Sequence, residues 1–199
     1  MRRRDFFRNG SLAAIGTQLF NPFTPADTPK KKRGKVKNII FMVSDGMSTG
    51  TLNMADLMLQ RQQGRHSHWI QLMHDNRIKR AFMDTASASS LVTDSAAASS
   101  SWGGGVRVNN GMLNMGLKGE EYTPILHKFK DARKAVGCVT TVPITHATPA
   151  GFCVNSKSRT MDPIAVQYLD LKFDVLMGGG TEVFSKEGRA DKRDLLQEF

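Results

Sequence analysis

The sequence predicts an α/β protein, a three-layer αβα sandwich around a mostly parallel central sheet. Three observations carry that expectation. Two apolar runs, VKNIIFMVS from Val36 and FDVLM from Phe173, end in glycine turns, as buried strands do. A third run, Val136 to Ile144 (VGCVTTVPI), is rich in the β-branched residues that suit a pleated sheet. Segments with helical apolar spacing separate these runs, so the strands must be joined by crossovers, which makes them parallel and covers both sheet faces.

Before the first strand stands a leader. Residues 1–37 hold ten Lys and Arg against Asp5 and Asp27, so they carry +8 of the formal +10; the remainder carries only +2. The globular part therefore has no basic surface on the scale that phosphate-backbone binding needs, and nucleic acid is excluded as its bulk partner. Arg3-Arg4-Asp5-Phe6-Phe7-Arg8, followed by an apolar run from Ser11 to Phe20, reads as a twin-arginine-type export signal over residues 1–26 with cleavage after Ala26. Residues 27–37 follow as a basic tether, and residues 38–199 as the folded domain. The expected location is periplasmic or secreted. No stretch reaches the length of about 18 apolar residues that a membrane span requires.

Within the domain, Asp45-Gly46 at the end of the first strand reads either as a turn or as a carboxylate presented to a cation. Thr51 to Gly64 is predicted as a helix with Leu52, Ala55, Leu57, Met58 and Leu59 on its apolar side and Gly64 as its stop. Ile78 to Asp84 is predicted as a short strand. Leu91 to Ser101 (LVTDSAAASSS) reads as a helix start at Thr93-Asp94-Ser95, where a cap alone accounts for the residue types and an anion site is the alternative. Trp102 to Gly119 is expected to be irregular. Pro124 to Lys134 is predicted as a helix before the Val136 to Ile144 strand. Asp191 to Phe199 carries a helical pattern with neither cap nor stop. Cys138 and Cys153 are too few for a structural zinc site; an oxidising compartment would allow a disulfide, and a buried thiol is the equal alternative.

Ligands in parallel α/β sheets collect beyond the carboxyl ends of strands. That rule selects Asp45, and it selects His146 and Thr148, just past the strand that ends at Ile144. Two residues apart on extended backbone, His146 and Thr148 share a side. Arg159 offers a planar fork for two phosphate oxygens. Ser95 has no neighbouring His to serve as its base, so as a nucleophile it needs a metal or a distant residue.

Asp45-Gly46-Met47, then Thr93-Asp94-Ser95-Ala96-Ala97, then His146-Ala147-Thr148-Pro149-Ala150, Arg159, and Asp174-Val175 before Gly178-Gly179-Gly180 stand in this order in the sequence. With these motifs the chain resembles the N-terminal part of the alkaline phosphatases, over roughly Val36 to Phe199. The resemblance implies hydrolysis of phosphate monoesters through a phosphoserine at Ser95, with Arg159 holding the phosphate. It implies two Zn2+ ions and one Mg2+, Asp45 shared between a zinc and the magnesium, Thr148 at the magnesium, and His146 reaching magnesium directly or through water. It implies a homodimer as the common assembly. It also implies further Asp, His and Glu metal ligands from a C-terminal half. No His follows His146 here, so the expected domain is incomplete at its C-terminus and inactive alone. Phosphodiesterase or sulfatase-like hydrolysis, and non-catalytic phosphate binding by a secreted protein, are the alternative functions. The small residues around Ser95 are read as leaving room for phosphate.

Overall fold

The computed structural model describes residues 36–199; the expected signal at 1–26 and most of the tether lie outside the described residues. Contacts divide the chain into two compact units at Val43 and Ser44. Residues 36–43 form neither helix nor strand, and Val36, Ile39, Ile40 and Met42 are exposed. The strand predicted from Val36 to Ser44 is thus not formed. A strand exists only through its ladder, and apolar composition without a ladder does not make one. The same reason applies to Ile78 to Asp84, which is also irregular.

From Ser44 onward the chain is α/β, with a parallel sheet and helices, as the sequence predicts. Its helices begin with α1, Thr49–Gln63, where the Ser48 side chain accepts from the Thr51 N–H and Gly64 closes the end at φ 64°. That left-handed conformation is why a glycine stands there. The apolar side of α1 is not buried as expected: Met54, Leu57 and Met58 are exposed, and the buried residue is Asp56. Asp56 accepts from the Ser67 N–H (2.6 Å), from His66 Nδ1 (2.9 Å) and from Gln60 Nε2 (2.7 Å), so it fixes the turn into α2, His68–His74. No helix of the described residues is long and apolar enough to cross a membrane.

Four further helices and two strands build the core. Helix α3 is Ser95–Gly103, α4 is Ile125–Asp131, and β1 is Gly137–Pro143. The four-residue α5, Ala147–Ala150, and α6, Met161–Leu171, lead to β2, Val175–Gly179. β1 and β2 pair in parallel, Gly137 opposite Val175 and Val139 opposite Met177, with the register slipping before Pro143 and Gly179. Parallel pairing requires a crossover, and α5 with α6 supplies it. The inner side chains Cys138 and Leu176 pack on a core that contains Ile144, Ile164, Ala165, Tyr168 and Leu171. Along α6 the buried positions 164, 165, 168 and 171 recur at helical spacing, which places one face on the sheet. The Tyr168 hydroxyl donates to the Ile144 carbonyl at 2.7 Å, satisfying a polar atom at the end of β1.

The opposite face of the two strands, Val139, Val175 and Met177, is exposed, so both-sided cover of the sheet is not found among the described residues. Both cysteines are free. Burial pushes the Cys138 thiol up to about 11 and Cys153 higher still, which keeps both thiols protonated.

After β2, a single 3-10 turn, Thr181–Val183, leads to a buried Arg189 whose Nε donates to Asp191 Oδ1 at 2.8 Å. The final helix α7, Leu195–Glu198, does have a cap: the Asp194 side chain accepts from the Gln197 N–H. Hydrogen bonding to Arg189 holds Asp191 down at about 2. An unfolded Asp titrates near about 3.9, so the ionised carboxylate stabilises the fold above that pH and the contribution is lost as pH falls toward 2. Thermal unfolding of the chain and of Asp191→Asn should therefore differ most near neutral pH. The gap between them should close as the pH is lowered through that window.

Candidate functional site

The turn at Asp45-Gly46 serves two ends. Gly46 adopts φ 71° and the Met47 N–H reaches the Ser44 carbonyl, so the residues form a tight turn. The Asp45 side chain meanwhile meets two segments distant in sequence. Its Oδ2 accepts from Ser95 Oγ at 2.9 Å and from Thr148 Oγ1 at 2.6 Å. The Thr148 hydrogen bond, opposed by partial burial and assisted by Ser95, holds this carboxyl below its ordinary value. It is an anion that orients two hydroxyls.

Ser95 is the first residue of α3. Asp94 caps that helix: its Oδ1 accepts from the Ala97 N–H at 2.8 Å. Among the described residues no hydrogen bond engages the Ser95 N–H group at this helix start, where the helix dipole favours negative charge. Asp94 does more than cap. Its Oδ2 accepts from the Gly111 N–H at 2.9 Å and from Arg159 Nη1 at 3.0 Å. Arg159 Nη2 also lies 3.2 Å from His146 Nε2. A guanidinium can only donate, so Nε2 accepts and the ring proton sits on Nδ1, a buried atom without a partner among the described residues. His146 is itself at the N-terminal boundary of α5, and Thr148 is within that helix rather than on extended backbone.

Two linked groups result. Asp45, Ser95 and Thr148 form one, and Asp94, Arg159 and His146 form the other, joined by the peptide bond between Asp94 and Ser95. Every residue selected from the sequence takes part. Asp94, which the sequence marks only as part of a helix start, joins the second group, and its place directly before the hydroxyl is the signal for it. Asn110 was missed; its Oδ1 accepts from the Asp94 N–H at 3.0 Å and its Nδ2 donates to the Val92 carbonyl at 2.9 Å, which fixes the approach to Ser95.

The small residues behind Ser95 have a different origin from the one expected. Ala96, Ala97, Ser99 and Ser100 are fully buried. Ser99 Oγ donates to the Ala147 carbonyl at 3.0 Å, and a Cβ on Gly103 would fall 1.8 Å from the Gly151 carbonyl oxygen. The stretch is small because α3 packs against α5 and the turn after it. Asn114 locks this arrangement from a left-handed backbone at φ 51°, donating through Nδ2 to the Gly151 and Val154 carbonyls at 2.8 Å each, while its own N–H reaches Ser100 Oγ.

As a metal site the cluster is partial. Asp45 and Thr148 supply two oxygens, which fits a hard cation that keeps most of its water. A zinc ion needs three or four N, O or S ligands from the protein. Among the described residues no group of three or more His, Cys, Asp and Glu is placed to hold a metal, and His146 Nε2 is engaged by Arg159. The described residues do not fit a zinc site.

Residues 36–198 match the family model described as Alkaline phosphatase. Alkaline phosphatase 3 of Bacillus subtilis is 30% identical over 94% of this chain and 43% of its own length. Alkaline phosphatase 4 of the same organism is 29% identical over 87% of this chain and 38% of its own length. The crystal structure of Thermus thermophilus alkaline phosphatase superimposes with a TM-score of 0.72 at 36% identity, over 77% of this chain and 32% of that one. The chain thus spans less than half the length of these relatives.

Proposed function

The chain belongs to the alkaline phosphatase family, and from that premise we propose that it forms the phosphate-binding and nucleophile-bearing part of a phosphate monoester hydrolase. The observation that carries this reading is Ser95 Oγ at a capped helix start, 2.9 Å from Asp45, with Arg159 tied to the same helix through Asp94. A phosphate monoester would place its equatorial oxygens against the Ser95 N–H group and the Arg159 guanidinium. Ser95 Oγ would form the new bond to phosphorus as the ester P–O bond breaks, leaving a phosphoserine and releasing the alcohol.

Asp45 is a poor acceptor for the Ser95 proton, because its carboxyl is held below the ordinary range. Its role is to orient Oγ. A hard divalent cation held by Asp45 and Thr148 would supply positive charge beside the hydroxyl when bound. The two zinc ions of the sequence-based expectation find no complete ligand set among the described residues, and no step is assigned to them. Binding and turnover are therefore separable: we assign phosphate binding to this chain, and turnover to a polypeptide that adds the remaining ligands. We extend the proposal to export through the twin-arginine-type leader, and to pairing of two copies in the complete enzyme.

Isothermal titration of the 199-residue chain with inorganic phosphate tests the binding claim. Saturable binding is expected, and Arg159→Ala should weaken it about tenfold or more, the scale of one lost charge-assisted pair. Equal affinity in the two proteins would remove Arg159 from the site.

A further inference from the structure

We propose that the junction of α1 and α2 binds a divalent transition-metal ion through the imidazoles of His66 and His74, with the buried carboxylate of Asp56 behind His66. This site shares no residue with the Ser95 cluster, and it stands or falls independently of the proposed function.

The argument begins with Asp56. Its two carboxylate oxygens accept from the Ser67 N–H, from Gln60 Nε2 and, at 2.9 Å, from His66 Nδ1. A carboxylate offers no proton, so His66 Nδ1 carries a ring hydrogen, and Nε2 is the nitrogen left to coordinate a metal. That is the arrangement in which a carboxylate orients a histidine for a metal: the acid fixes the ring and turns the far nitrogen outward. The second imidazole is close at hand. The rings of His66 and His74 lie with centroids 4.9 Å apart, edge to face at 76°. Among the described residues no hydrogen bond engages His66 Nε2 or either ring nitrogen of His74. His74 is exposed and ends α2, where the carbonyl end of the helix favours a cation.

Paired neutral imidazoles select zinc, copper or nickel over magnesium or calcium. Among the described residues no third His, Cys, Asp or Glu stands in position, so water would complete the shell. Bridging His66 and His74 would tie the end of α2 to the turn that begins it.

Zinc titration of the full 199-residue chain, followed by NMR of the imidazole ring nitrogens, tests the site. Saturable shifts are expected at one nitrogen of His66 and one of His74, with His68 and His127 unmoved; any change at His146 reports separately on the Ser95 cluster. His74→Gln, an exposed substitution that leaves Asp56 and its bonds intact, should lower zinc affinity about tenfold or more. Asp56→Asn should lower it by about 10–100-fold, as loss of an outer carboxylate does. Absence of shifts at His66 and His74, or unchanged affinity in His74→Gln, would overturn the assignment.

Discussion

Replacing Ser95 by Ala is expected to reduce hydrolysis of a chromogenic aryl phosphate by at least about a thousandfold in any active polypeptide that contains this chain. The hydroxyl proposed to take up phosphorus is then absent, while the rest of its surroundings stays. Asp94 still caps α3 through the Ala97 N–H, and Arg159 still reaches Asp94, because neither bond uses the Ser95 side chain. Inorganic phosphate should therefore still bind the variant, with affinity changed severalfold at most. The measurements are steady-state turnover, phosphate titration, and recovery of labelled phosphoserine after acid quench. Phosphoenzyme formed at undiminished level in Ser95→Ala would place the nucleophile elsewhere.

The largest loss of stability is expected from Gly103→Ala. Its methyl group would lie 1.8 Å from the Gly151 carbonyl oxygen and 2.5 Å from the carbonyl carbon. Those atoms are backbone, so no rotamer change relieves the clash and α3 must move away from the turn after α5. Overpacking of this kind costs about 1–3 kcal/mol when side chains can adjust, and more when backbone must shift. A loss of about 3 kcal/mol or more should lower the melting temperature by about 6–12 °C. Gly151→Ala should behave alike, since its Cβ would meet Ser99 Oγ at 2.2 Å. Gly50→Ala is the control of opposite sign: it is helical, its Cβ would contact Ser48 Oγ at an ordinary 3.4 Å, and alanine should add about 0.5 kcal/mol. Circular dichroism melts of the three variants separate the close approach of two helices from a general intolerance of glycine substitution.

Elements whose signals are local were legible in the sequence. Gly64 marks the end of α1 because only its own backbone conformation decides that end. Thr93-Asp94-Ser95 marks the start of α3 because a cap is made within three residues. β1 is legible from its β-branched residues and β2 from an apolar run that ends in glycines, and each has the other as its partner strand. The runs from Val36 and from Ile78 also hold apolar residues but have no ladder, which the composition of one segment does not encode. The candidate site was legible as a set of residues, because strand ends and helix starts gather in this fold class. Its wiring was not. The bond from Arg159 to Asp94 spans 65 residues and the bond from Thr148 to Asp45 spans 103, and no periodicity reports such pairings. The run of small residues shows the limit most clearly: packing and access ask for the same residue types, and only the position of Gly151 tells them apart.

Asn114 has a consequence for the order in which the chain folds. The contact between α3 and α5 closes 48 residues when made directly, as from Ser99 to Ala147. Asn114 divides that closure, bonding back across 14 residues to Ser100 and forward across 37 to Gly151. Shorter closures are made sooner and at lower entropic cost. The loop that carries Asn114 would then dock on α3 first and offer α5 a prepared surface. A substitution at Asn114 should accordingly slow refolding, as well as hasten unfolding.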